Sequence, residues 1–155
     1  MRRRRPEKRT ILPDPTFNDV VVAQFINYIM KQGKKSIAEK IFYGSLDIIS
    51  NQMKTDTPIE VFKKALSNVS PVLEVKSKRI GGATYQVPME VSEKRKLSLA
   101  MRWLLTYSRG RKGKTMANRL AAELIAASKK EGSSVKKKED THKMADANKA
   151  FAHFR

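Results

Sequence analysis

The chain has 155 residues and a net charge of +18, from 33 Lys and Arg against 15 Asp and Glu. The length sets one domain, and 40% hydrophobic residues suffice for a core, so a wholly disordered chain is excluded. Cysteine is absent and the two histidines, His142 and His153, have no clustered carboxylates beside them. That removes disulfide frameworks, thiolate metal sites and a catalytic metal centre, so no metal or cofactor is expected.

So large a cationic excess repels itself in a compact fold. It calls for a polyanionic partner, and nucleic acid is the first candidate. The start, Met1-Arg2-Arg3-Arg4-Arg5-Pro6, has the charge of a signal peptide but no apolar stretch after it. No run reaches transmembrane length, which predicts a soluble cytoplasmic protein with no membrane partner.

Residues 1–15 read as a flexible basic arm, since four successive arginines repel and Pro6, Pro13 and Pro15 disfavour helix. Residues 16–155 then read as one helical domain. A first helix starts near Asn18, capped by Asn18 or Thr16, and ends at Gly33, with Val21, Val22, Phe25, Ile26, Ile29 and Met30 on its apolar side. A second opens at Ser36 and turns Ile37, Ala38, Ile41, Phe42, Ile48 and Ile49 inward. A third carries Thr57 as N-cap, Pro58 in its first turn and Glu60 completing a capping box. Its buried stripe is Val61, Phe62, Ala65, Leu66 and Val69, and Pro71 stops it.

The period then changes from helical to alternating. Two strands, 72–80 and 83–91, flank Gly81-Gly82, a two-residue hairpin signal. Pro88 makes this ribbon an edge structure, and Lys76, Lys78 and Arg79 make it basic toward the tip. Ser92 caps a fourth helix with Leu97, Ala100, Met101, Trp103 and Leu104 on its core face. Thr115 caps a fifth, with Ala117, Leu120, Ala121, Leu124 and Ile125 inside, ending near Gly132. The last segment, from Ser134, opens with Lys136-Lys137-Lys138. Its apolar periodicity is weak, so its later half is expected to be irregular or to lie on a partner. The fold class is therefore mainly α: about six helices, an inserted β-hairpin arm at 72–91 and a basic tail.

Several clusters carry candidate chemistry. Arg95, Arg102 and Arg109 recur every seven residues, close to two helical turns, and so share a face. That face reads as a phosphate-contacting ridge; the plainer reading is a solvated helix surface. The loop Arg109-Gly110-Arg111-Lys112-Gly113-Lys114 mixes cations with glycines that let backbone N–H groups approach phosphate, ahead of a helix N-terminus. Gly33-Lys34-Lys35-Ser36 offers the same at the second helix, or is an ordinary cap followed by solvated lysines. Gly113-Lys114-Thr115 imitates the end of a nucleotide-binding loop, but Ser108 stands where that motif needs Gly and a helix stands where it needs a strand. Tyr85 and Trp103 could stack on unpaired bases, although Trp103 fits the core better. His142 reads as a hydrogen-bonding surface residue.

Four stretches closely resemble one family. They are Pro13-Asp14-Pro15 running into FNDVVVAQFINYIMKQGKKSIAEKIFY, then VKSKRIGGATYQVPMEV, LAMRWLL and KKKEDTHKMADANKAFAHFR. Together they resemble, in one register over nearly the whole chain, the small ribosomal subunit protein seven family in its bacterial form. The resemblance implies a helical body with a hairpin arm, a non-enzymatic role in the ribosome, and primary binding to the 3′ major (head) domain of small-subunit rRNA, nucleating head assembly. It also implies a place lining the mRNA exit channel near the exit-site tRNA, beside neighbouring head and platform proteins. The rRNA-binding positions it implies are Arg2, Arg3, Arg4, Arg5 and Lys8 in the arm, and Lys34 and Lys35 between the first helices. Lys76 follows in the hairpin, then Arg95, Arg102, Arg109, Arg111, Lys114, Asn118 and Arg119 on the helices and loop, and Lys136, Lys137, Lys138, His142 and Lys143 near the end. The exit-site hairpin positions are Lys78, Arg79, Gly81, Gly82 and Tyr85. The loop RGRKGKT is richer in glycine than the family pattern leads one to expect. Two other classes fit the charge: an architectural DNA-binding protein with a β-ribbon arm, and a nucleotide-dependent enzyme built on the GKT sequence.

Overall fold

The structure is a computed structural model that describes residues 9–154. Arg2, Arg3, Arg4, Arg5 and Lys8 lie outside the described residues. Chain order is α1 (Val20–Ile29), α2 (Lys35–Met53), α3 (Pro58–Val69), β1 (Leu73–Ile80), β2 (Ala83–Glu90), α4 (Glu93–Gly110), α5 (Met116–Ser128), α6 (Ser133–Ala147) and a terminal 3-10 helix, Lys149–Phe154. The mainly helical fold with one inserted hairpin is as the sequence predicts.

The core is built from the predicted stripes. Phe25 of α1, Phe42 of α2 and Phe62 of α3 form an aromatic triangle with ring centroids 4.9–5.8 Å apart, edge-on or tilted. Helix α5 packs against α2, α3 and α4 through Leu120, Ala121, Leu124 and Ala127, all with no exposed surface. Alanines on α5 let its neighbours approach closely. Trp103 is half-buried against this core.

Several local expectations are corrected. The cap of α1 is Asp19, whose Oδ1 accepts from the Val21 N–H at 2.8 Å, and not Asn18 or Thr16. The helix stops at Ile29, before Gly33, because Met30 leaves helical geometry. Ile37 is 51% exposed instead of core, since it sits in the first turn of α2 where no neighbouring helix covers it. The Thr57 side chain caps no N–H; its hydroxyl donates to Glu60 Oε2 at 3.3 Å, so the box is not closed. Ser92 likewise makes no side-chain cap bond, and the Arg95 and Lys96 amides bond to its carbonyl oxygen instead.

The hairpin matches its signal. β1 and β2 pair antiparallel from Leu73↔Glu90 to Ile80↔Ala83 around a two-residue turn. Gly81 and Gly82 have φ of +56° and +89°, the two positive values a type I′ turn needs. This register puts Glu74, Lys76 and Lys78 on the same ribbon face as Met89, Val87 and Tyr85.

The end of the chain is more ordered than its weak periodicity predicts. α6 buries only Ser134, Val135 and Ala145, yet it packs along the hairpin, and the 3-10 helix follows onto β2. The expected irregular half thus lies on the chain's own ribbon. At the other end Asp14, 4% exposed, accepts from the Thr16 and Phe17 amides and from the Tyr43 hydroxyl at 2.7 Å, fastening the chain entry to α2.

Candidate nucleic-acid interface

Two helix N-termini, those of α2 and α5, and two helix C-termini, those of α1 and α4, frame a groove of about 440 Å³. Its floor is apolar: Ile29, Met30, Ile37, Ile41 and Met116. Its rim is cationic: Lys31, Lys34, Arg109 and Arg119, with no acidic residue among those lining it. The first turns of α2 and α5 bring positive dipole ends here and the last turns of α1 and α4 bring negative ones, so the positive charge of the rim comes from its side chains. The exposed Ile37 therefore belongs to this groove. The sequence also missed Lys31, although its place in the same turn as Gly33 and Lys34 was the available signal.

The helix turn at 109–119 is built to hold its cations in place. Thr115 caps α5 as predicted, its hydroxyl accepting from the Asn118 N–H at 3.2 Å. Gly113 leaves room for Arg119, since a Cβ there would meet Arg119 Cγ at 2.8 Å. This is the physical reason for one of the loop's glycines. Arg119 Nη1 donates to the Arg109 carbonyl at 3.2 Å, while its Nε is buried without a partner among the described residues. Lys114 and Asn118 are exposed beside it.

The ridge is not uniform. Arg95, Arg102 and Arg109 are all exposed. Arg95, however, donates through Nε and Nη2 to Glu74 Oε2, each at 3.2 Å, tying α4 to the ribbon. Arg109 Nη2 reaches the Ile29 carbonyl at 3.4 Å, which leaves it at the groove rim. Arg102 makes no side-chain bond among the described residues and stands free to meet an anion. Arg111 departs most from expectation. Its Nε pairs with Glu123, a carboxylate with no exposed surface whose other oxygen accepts from the Ser134 amide and hydroxyl at 3.1 and 2.6 Å. Arg111 thus ties the loop, through Glu123, to the middle of α5 and the start of α6.

Further along, Lys35 lies 3.8 Å from Glu39 and Lys76 4.0 Å from Glu74, both exposed and weakly paired. Arg79, Gly81 and Gly82 are exposed at the tip. Lys78 donates to the Phe154 carbonyl at 2.6 Å, and the Tyr85 ring lies against Phe151 and Phe154, so neither is a free hairpin group in this arrangement. In α6, Lys136 and Lys143 are exposed and Lys137 is half-buried. Lys138 donates to the Asn68 carbonyl at 2.8 Å. His142 Nε2 accepts from the Val72 N–H at 3.0 Å, which fixes the neutral tautomer with its proton on Nδ1. Burial, then nearby Lys138, lower its pKa from 6.5, against a weaker pull from Asp146.

No group of His, Cys, Asp and Glu among the described residues could hold a metal ion. Among the described residues no helix is long and apolar enough to cross a membrane. The GKT sequence follows a helix, so the strand–loop–helix setting of a nucleotide loop is absent there.

The sequence model of the family described as ribosomal protein S7p/S5e matches residues 1–149. The chain is 60% identical over 154 residues to small ribosomal subunit protein uS7 of Anaeromyxobacter sp. (strain K), covering 99% of this chain and 98% of that one. It is 59% identical over 155 residues to the uS7 of Thermotoga maritima, covering 100% and 99%. It is 56% identical over 154 residues to that of Caulobacter sp. (strain K31), covering 99% and 98%. On this evidence of sequence, fold and cationic surface, the chain belongs to the ribosomal protein S7p/S5e family, structural rather than enzymatic components of the small ribosomal subunit in the cytoplasm.

Proposed function

We propose that this chain is the primary binder of the 3′ major (head) domain of small-subunit rRNA and that it gathers several RNA segments into the head. The observation that carries this reading is the groove in which Lys31, Lys34, Arg109 and Arg119 converge over an apolar floor with no opposing carboxylate. Cations held by caps and packing on rigid helices lose little entropy when they meet phosphate. Recognition then runs through RNA shape and phosphates more than through a base code. The hairpin tip, with Arg79, Gly81 and Gly82 exposed, is the part that reaches toward the exit-site tRNA and the mRNA exit channel. Head and platform proteins are the neighbours.

Filter binding tests this reading. The protein is titrated with a transcript of the 3′ major domain, with a transcript of the 5′ domain, and with random duplex DNA at matched salt. Tight binding to the first, with poor competition from the other two, supports it. Equal affinity for random duplex supports an architectural DNA-binding role instead.

A further inference from the structure

An isolated two-stranded ribbon is marginal in water, because one ladder of hydrogen bonds and one layer of side chains do not offset chain entropy. Here β1 and β2 form such a ribbon, with no third strand among the described residues. What covers its Lys78–Tyr85 face is the end of the same chain. Phe151 and Phe154 lie parallel within 12° and each sits against Tyr85, at 5.3 and 5.2 Å between centroids. Lys78, directly opposite Tyr85 in the register, donates to the Phe154 carbonyl at 2.6 Å. At the ribbon's base, His142 accepts from Val72.

We infer that the terminal 3-10 helix, Lys149–Phe154, is a strap that clamps the hairpin through Tyr85 and Lys78 and holds it ordered before any partner arrives. Three half-buried rings form a small apolar layer separate from the main core, whose residues do not include Tyr85, Phe151 or Phe154. The strap can therefore open without unfolding the body, which is the behaviour of a low-stability local unit. Opening it would free both Lys78 and the Tyr85 ring. The inference concerns the free chain and stands or falls independently of which RNA the protein binds.

Limited trypsin digestion of the full chain, with cleavage after Lys76, Lys78 and Arg79 read by mass spectrometry, tests it. The variants are Phe151→Ala with Phe154→Ala, and separately Tyr85→Ala. Each is expected to speed hairpin cleavage by about tenfold or more while the body's melting temperature stays within about 2 °C of the parent. Combining all three substitutions should add little beyond either, since they remove one shared contact. Hairpin cleavage at the parental rate in both variants would overturn the strap. So would a body that melts together with the hairpin, because the turn would then be part of the core.

Discussion

Arg111 binds through Nε to the carboxylate of Glu123, a side chain with no exposed surface at the junction of α5 and α6. The pair explains how a loop full of like charges keeps one shape. Its cost of desolvation is offset by the two Ser134 bonds to the other carboxylate oxygen.

Arg111→Ala should therefore act on stability before it acts on binding. It leaves a buried carboxylate without its cation, and because Arg111 is itself 35% exposed the loss falls below the roughly 3 to 5 kcal/mol of a fully buried pair. Urea unfolding should show a lower midpoint with an unchanged m-value. An unchanged midpoint would mean that the pair does not hold the loop.

Arg102→Ala should do the reverse. Arg102 is exposed and carries no side-chain bond among the described residues, so unfolding should match the parent. RNA affinity should fall, and the slope of log K against log salt should shrink by about 0.7 to 0.9 for the lost phosphate contact. Cooperative melting well below the parent with RNA affinity intact would assign Arg102 a structural role. Arg109→Ala is a less clean probe, because its Nη2 also reaches the Ile29 carbonyl.

Deleting residues 77–84 removes the tip and the Lys78 bond to Phe154, keeps Tyr85, and leaves the groove whole. Filter binding to the 3′ major domain transcript should survive the deletion. Loss of that binding would show that the tip takes part in anchoring as well as in reaching the exit site.

His142 gives a pH dependence. Its native pKa lies below 6.5, so in the window between that lowered value and 6.5 the unfolded chain holds a proton that the native chain does not. This contribution is complete above pH 6.5 and is lost progressively as pH falls into that window. Urea unfolding at pH 8 and pH 5.5 should show a loss in the parent that is smaller in His142→Gln. Equal losses in both proteins would remove His142 from the account.

Much of the fold was legible because its determinants are local. Gly81-Gly82 specified the turn and with it the whole register, and the stripe of α3 was read residue by residue, whereas in α5 only Leu120, Ala121 and Leu124 of the expected face are fully buried. Thr115 capped as its position implied. What escaped depends on contacts between distant segments. Ile37 has the apolar character of a core residue, but only the placement of α1 and α5 shows that it lies in a cationic groove. Glu74 and Glu123 neutralise Arg95 and Arg111 from 21 and 12 residues away, beyond the i,i+4 spacing that a helix pattern exposes. The docking of Phe151 and Phe154 on Tyr85 was hidden for the same reason: its partners are a strand and a tail with no shared period. The candidate site was thus legible as a charge inventory. Which cations are free and which are engaged needed the packing.

The most direct test is to map protein–RNA cross-links in purified small subunits at residue level. Cross-links to head-domain rRNA clustered on Lys31, Lys34, Lys114 and Arg119 around the groove, with Arg102 and the hairpin joining them, are the predicted result. RNA contacts confined to cations elsewhere on the body, such as Lys40, Lys64 and Lys129, with the groove bare, would contradict the account.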